Sequence, residues 1–324
     1  MKFLKTFSRG ALILALLAFS GCTHAPRVTL TFGGDIILAR DGKAIFDQVN
    51  PWQNVGASIE DQHTGADQSF FFANLESPIS EKSIEQEDGS ARGYDLCADA
   101  GQLDVLKQGK VNFVNLANNH QNDCGTQALK SSSKLLETAG VRSVGPEMQP
   151  TYLETEAGKI GLVSADDVTQ AVDDDKLIDT IQDMRSKCDI LIVSLHWGNE
   201  YQSGISQRQK ELAQTLANAG VDVLWGTHPH VLQPVQWIKA ESGAHKMLVM
   251  FSLGNLLSDQ WMTRQTQETA LITLTIQNKQ IVGFSVLPLQ MDRSSRQLAL
   301  AEKGQTQTIL DCLGLAEFTT SWNN

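Results

Sequence analysis

The chain has 324 residues, and its 26 Lys and Arg against 37 Asp and Glu leave a formal charge of −11. That balance argues against a nucleic-acid partner, which needs an excess of cations to displace phosphate counterions. Hydrophobic residues at 41% and charged residues at 19% exclude a disordered or fibrous chain and provide for a large core. Five cysteines are an odd number and too few for a disulfide scaffold.

The N-terminus accounts for the odd cysteine. Lys2, Lys5 and Arg9 precede an uncharged apolar run over 11–19, and Ser20-Gly21 follows. This layout predicts a secretory signal over residues 1–21, the apolar run being too short to span a bilayer. Phe19-Ser20-Gly21-Cys22 resembles a bacterial lipoprotein signal, in which the cysteine is acylated and becomes the mature N-terminus. Ordinary cleavage nearby, leaving Cys22 as a spare thiol, is the alternative. Acylation predicts a lipid-anchored protein of the cell envelope, with residues 22–27 as its tether. It leaves four cysteines in a compartment that permits disulfides.

From Val28 onward, strand-like and helix-like segments alternate. Residues 28–34 read as a strand running into a Gly-Gly turn, and residues 69–76 as a second strand followed by an acidic loop to about Gly93. Residues 111–117 form a third, and 126–140 have helical apolar spacing closed by Gly140. A helix is expected from about Asp173 to Lys187, its acidic start suiting an N-terminus. A buried strand over 189–197, a helix over 205–220 and a strand over 221–226 follow. Beyond these the period changes to two, with strands joined by turns such as Glu241-Ser242-Gly243 and Asn278-Lys279. With no Pro- or Ser-rich linker, the prediction is one α/β (α+β) domain over 28–324.

The polar residues that stop these strands are chemically selective. Asp35 ends the first, Asn74 and Glu76 the second, and Asn118, Asn119 and His120 the third, with Asp123 close behind. His196 ends the fourth, and His228-Pro229-His230 follows the fifth. Ligand sites of α/β sheets collect at the carboxyl ends of strands. Singly, each residue has an ordinary role: Asp35 as a helix N-cap, the asparagines as turn residues, His196 as a core histidine. The His-Pro-His spacing points more directly to metal, and one site explains the whole set.

Six blocks in order carry a family resemblance: Gly34-Asp35-Ile36-Ile37, Asn74-Leu75-Glu76-Ser77-Pro78, Leu116 to His120, His196 to Tyr201, Gly226 to Val231, and Ser252 to Asn255 with Asp259-Gln260. They resemble the CapA family, named for poly-γ-glutamate capsule synthesis. That family is similar to the calcineurin-like metallophosphoesterases, which implies a two-sheet β-sandwich flanked by helices. The resemblance implies metal ligands at Asp35, Glu76, Asn119, His196, His228 and His230, and a catalytic His120 near the leaving group. Two positions depart from the phosphoesterase pattern. Ile37 stands where a second ligand, a histidine, belongs in the first block, and Glu76 stands where an aspartate is usual. One of two metal positions is therefore poorer in ligands, with Asn74, Asp123, Glu200 and Asp259 as substitutes or supporting residues. A nitrogen and oxygen set without thiolate favours one or two divalent ions of Mn, Zn or Fe.

These readings imply either a metal-dependent hydrolase or a non-catalytic polymer-binding accessory. The expected partners are an anionic surface polymer or its glutamyl or phosphoryl precursor, the membrane, and the capsule synthesis machinery. Arg40, Arg92, Arg208 and Arg264 are the arginines nearest the blocks. No nucleophile elbow, Walker loop, dinucleotide fingerprint or Cys-x-x-Cys is present. Cys97 and Cys124 flank the third strand and suit either a disulfide bracing the His120 loop or two buried thiols.

Overall fold

The computed structural model describes residues 25–81, 96–125, 128–145 and 147–315. The expected signal peptide, Cys22, Arg92 and most of the acidic loop lie outside the described residues. No described helix is long and apolar enough to cross a membrane.

In chain order the elements begin β1 (Arg27–Ile36), α1 (Asp41–Phe46), α2 (Gly56–Asp61), β2 (Gln68–Leu75), β3 (Ile79–Ser80), β4 (Ala98–Asp99) and α3 (Leu103–Gln108). They continue β5 (Phe113–Asn115), α4 (Ala128–Thr138), β6 (Arg142–Val144), β7 (Thr151–Thr155), β8 (Gly158–Asp166), α5 (Asp174–Arg185), β9 (Ile190–His196) and α6 (Gln207–Asn218). The remainder is β10 (Val223–Thr227), β11 (Leu232–Lys239), β12 (Lys246–Leu253), β13 (Asn255–Leu257), β14 (Glu268–Gln277), β15 (Gln280–Asp292), β16 (Gln297–Leu300) and α7 (Lys303–Cys312). All the strands expected from the apolar runs form. The hairpin β7–β8 and helix α7 add to that reading.

Two sheets stack. One has eight strands, ordered β16-β15-β14-β1-β2-β5-β6 with β13 also on β1, and the other has six, ordered β11-β12-β10-β9-β8-β7. Period-two alternation explains the layers. Val28, Leu30 and Phe32 of β1 meet Ile190 and Ile192 of β9 and Val223 and Trp225 of β10 between the sheets. The intervening residues of the second sheet, Leu191, Val193 and Leu195, pack outward against Leu177 and Ile181 of α5 and Leu212 and Leu216 of α6. Phe71, Ala73 and Leu75 of β2 face outward against Val105 and Leu106 of α3 and Leu136 of α4. The result is the two-sheet sandwich flanked by helices that the sequence implied.

The helix ends follow from local chemistry. Asp173 caps α5 by accepting from Lys176 N at 3.0 Å, and Ser206 with Gln209 forms a capping box on α6. An aromatic ladder crosses the inter-sheet layer beneath the strand ends. Phe32 stacks on Phe72 at 5.1 Å, Phe72 on Phe113 at 4.7 Å, and Trp225 from the opposite sheet meets Phe32 at 5.6 Å. Such contacts contribute about 0.5–1.5 kcal/mol each beyond burial. Trp225 Nε1 also donates to Gly33 O at 2.9 Å, which ties the second sheet to the irregular stretch of β1 that carries Asp35; the Gly-Gly turn expected there does not form, since β1 runs on to Ile36.

Candidate metal centre

Register brings the strand-end residues together. β1, β2 and β5 run parallel, and their pairing aligns Asp35 with Asn74 and Asn74 with Asn115, while β13 aligns Asn255 with Asp35. In the second sheet, pairing aligns His196 with Thr227 and with Asp166. Apart from Asn255, which opens β13, both rows lie at carboxyl ends of strands, and the sandwich sets them face to face.

The backbone is bent to make this possible. Asp35 N donates to Gly254 O at 2.9 Å, and a Cβ on Gly34 would lie 1.8 Å from that oxygen, so only glycine fits. His228 at φ 100° and His230 at φ 57° both occupy left-handed backbone. Each such residue costs about 1–3 kcal/mol, a strain that concentrates at functional sites.

The side chains converge in a water-poor centre. Asp35, Glu76 and His196 are fully buried, with His228 4% and His230 2% exposed. His196 Nε2 lies 2.8 Å from Asn119 Oδ1, 3.2 Å from His228 Nδ1 and 3.5 Å from Glu76 Oε1. A ring nitrogen carries at most one hydrogen, so it cannot satisfy three acceptors. Ligand atoms bound to one ion at about 2.1 Å lie about 3.0–3.4 Å apart, which matches this cluster. On the other side His230 Nδ1 lies 3.3 Å from Asp35 Oδ2, and His230 Nε2 lies 3.9 Å from Glu76 Oε2.

Glu76 decides the fit. Both its carboxylate oxygens are buried and have no hydrogen-bond partner among the described residues. Burial drives its pKa upward, with His230 opposing. Burial also lowers His196 well below the imidazole range and His228 to about 4. Burial pulls His230 down as well, but Glu76 and Asp35 more than offset it and hold it at about 9. A cation between these groups would hold the carboxylate ionised and the imidazoles neutral, and would supply the partner that Glu76 lacks. Three groups suit an ion: Glu76 with His196 and His228, Asp35 with Glu76 and His230, and Glu200 with His228 and His230. The first two share Glu76, which places it between two positions.

The supporting residues are mostly amides. Asn74 Nδ2 donates to Asp35 Oδ1 at 2.8 Å and lies 3.3 Å from His196 Nδ1, so one amide spans both halves. Asn115 and Asn118 each donate to Asn74 Oδ1, and Asn255 Oδ1 lies 3.0 Å from His230 Nδ1. Thr227 Oγ1 lies 2.9 Å from His196 Nδ1. Asn115 and Thr227 were not singled out from the sequence. Their signal was a polar residue inside or ending an apolar strand.

His120 stands beside the ligands, its Nδ1 2.8 Å from Asp123 Oδ2, which also accepts from Leu96 N at 2.7 Å. Burial lowers its pKa, but the Asp123 hydrogen bond and the nearby Glu76 raise it overall. The Cys97–Cys124 disulfide joins the segment after Leu96 to the residue after Asp123. A cleft of about 670 Å³ opens over the centre, lined by Arg40, Glu76, His120, Glu200, Tyr201 and His230 among others. Asp259 lies at this cleft too, paired with Arg40 at 2.5 Å. Arg208 pairs with Asp167 and Asp174, and Arg264 with Glu268; neither lines the cleft, whereas Arg40 does, paired there with Asp259.

A family model described as bacterial capsule synthesis protein PGA_cap matches residues 29–260. The chain belongs to that family. PGA_cap relatives include the PGA biosynthesis protein CapA of Bacillus subtilis, 25% identical over 83% of this chain and 73% of its own. The capsule biosynthesis protein CapA of Bacillus anthracis is also 25% identical, over 83% of this chain and 69% of its own. A phosphatase from Mycoplasma pneumoniae superposes with a TM-score of 0.52 at 12% identity, over 84% of this chain and 97% of its own. At that identity the likeness is of fold alone, and the fold of this PGA_cap member is that of the calcineurin-like phosphoesterases.

Proposed function

We propose that the protein is a metal-dependent hydrolase of the cell envelope, held by a lipid on Cys22. It acts on poly-γ-glutamate, or on a related glutamyl or phosphorylated surface polymer, during synthesis, processing or export. The observation that carries the chemistry is Glu76, whose two buried, unpartnered oxygens face imidazoles on both sides. The polymer is inferred from PGA_cap membership and from relatives named for PGA and capsule biosynthesis.

A bound divalent ion supplies Lewis-acid polarisation of a carbonyl or phosphoryl oxygen and a water acidic enough to attack near neutral pH. Asp35, Glu76 and His230 would hold one ion, and Glu76, Asn119, His196 and His228 would hold the other. His120, oriented by Asp123, delivers a proton to the leaving group. Loss of residues 1–21 removes Lys2, Lys5 and Arg9 and no acid, so the mature charge falls from −11 to −14. Such a protein repels a polyanion on average, so capture is local, at the metal centre and Arg40.

The test is to load purified mature protein with Mn, Zn or Fe and assay γ-glutamyl polymers and a panel of phosphoesters. Turnover should require metal, and His120→Ala should lower it about 10²–10⁴-fold without changing metal content. Full activity in metal-free protein overturns the reading. The anchor is tested by fatty-acid labelling, which Cys22→Ser should abolish.

A second reading, a non-catalytic accessory that binds the polymer for the synthesis or export machinery, is favoured by Ile37 in place of the expected histidine. A relative from Mycobacterium tuberculosis, 24% identical over 60% of this chain, is named a probable polyglutamine synthesis accessory protein. His120→Ala that binds metal normally and still restores polymer production in cells would decide for this reading.

A further inference from the structure

A separate pocket lies at the amino ends of β2 and β5, the opposite end of those strands from the metal centre. Its volume is about 190 Å³, and Trp52, Ile59, His63, Phe71 and Gly109 are among its walls. It shares no lining residue with the cleft over the metal centre. Phe71 and Glu76 are separated by about 17 Å of extended chain.

The apolar walls are closely fitted. Trp52 and Phe71 are each 2% exposed and meet edge to face, with ring centroids 5.9 Å apart. Gly109 is required beside them, because a Cβ there would lie 2.3 Å from the indole. The left-handed position after α3, which usually takes glycine, falls one residue later on Lys110, at φ 55°. Lys110 pairs with Glu60 at the rim, and both of these side chains are exposed.

The polar atoms of the walls are engaged, with one exception. Trp52 Nε1 donates to Val105 O at 2.8 Å, and Asn112 Oδ1 accepts from Phe71 N at 2.7 Å. His63 Nδ1 lies 2.8 Å from Thr29 Oγ1, which in turn donates to Ser69 Oγ at 3.0 Å. A hydroxyl has one hydrogen, so Thr29 accepts from His63 Nδ1–H, and Nε2 of the neutral ring is left as an acceptor. Burial lowers the His63 pKa and favours that neutral ring. Among the described residues Thr29 is the one hydrogen-bond partner of the His63 side chain, so Nε2 is free.

Protein interiors keep few voids larger than a water molecule, and an engineered apolar cavity of about 150 Å³ holds benzene. We propose that this pocket binds a ligand with a single aromatic ring that carries an O–H or N–H. The ring packs against Trp52 and Phe71, and its polar hydrogen is donated to His63 Nε2. The site is independent of the metal centre and of the hydrolase reading.

The test uses phenol and toluene as probes, titrated calorimetrically into mature full-length protein with and without chelator. Phenol should bind at one site with the same affinity in both conditions. In His63→Leu, toluene should still bind, while the ratio of phenol to toluene affinity should fall at least about fivefold, because the phenol hydrogen loses its acceptor. Ile59→Trp should fill the pocket and abolish binding of both probes, with a native circular dichroism spectrum as the check on folding. If Ile59→Trp does not fold, the ratio in His63→Leu decides. Absence of phenol binding to the native protein overturns the proposal, as does an unchanged ratio in His63→Leu. Phenol binding that is lost on chelation belongs to the metal centre and overturns it equally.

Discussion

The half of the centre facing the six-stranded sheet is nitrogen-rich, and the half facing the eight-stranded sheet is rich in carboxylate. His196 ends a regular strand, and its orientation is set by ladder pairing with Thr227 and by Asn119, Asn74 and His228 around the ring. Asp35 follows a register shift at Gly33-Gly34, where the sequence suggested a turn but β1 continues to Ile36, and the buried Glu76 finds no donor among the described residues. A buried imidazole can satisfy its environment by staying neutral, whereas a buried carboxylate is costly in either form without a partner. On the proposed reading, the carboxylate half would depend on a bound cation for its stability more than the nitrogen half would.

Chelation should expose this asymmetry most strongly. Removing tightly bound metal should lower the free energy of unfolding by about 4 kcal/mol if metal is normally at a thousand times its Kd. Thermal melts with and without chelator measure this, and Glu76→Gln should show little response. A native melting curve indifferent to chelator would break the comparison. Next, replacing Cys97 and Cys124 with Ser should cost about 3.5 kcal/mol in the chain-entropy model for a sequence separation of 27. Urea denaturation reads this loss, and the loop carrying Asn119 and His120 should become susceptible to proteolysis before the carboxylate half does.

Asn74 offers a finer test because it touches both halves. Asn74→Ala should weaken metal binding about 10–100-fold, the usual effect of losing a residue that orients ligands. Calorimetric titration should show both ion affinities falling together, and a fall in only one would show that the halves are independent. The smallest effect is expected at Trp225, whose indole ties the second sheet to β1 just before Asp35. Trp225→Phe leaves Gly33 O unpaired and should cost about 1 kcal/mol, read by urea denaturation.

The ligands were legible in the sequence because an apolar strand that stops at Asp35, His196 or His228 interrupts a pattern that burial would otherwise continue. Those interruptions identify residues one at a time, and family blocks then supply their roles. Asn115 was not legible, since an asparagine near a strand end reads equally well as a turn residue. Only its pairing beside Asn74 shows that it buttresses the amide between the two halves. Strand β8 was missed for a related reason: Gly158 and Gly161 weaken the strand pattern. Gly161 is needed there because a Cβ would lie 2.8 Å from Cys188 Sγ. Among the arginines, proximity in sequence did not distinguish Arg40 from Arg208, which α5 and the Asp167 loop neutralise from outside the site.

The sequence alone determined the alternation of elements, the apolar faces and the chemical identity of the strand-end residues, because these depend on local period and side-chain type. The pairing of the two halves across Glu76, the isolation of its oxygens and the approach of Glu200 were decided by tertiary structure. They depend on strand register and on the stacking of two sheets, which juxtapose residues as distant as Asp35 and His230. No local pattern encodes the distance between such residues.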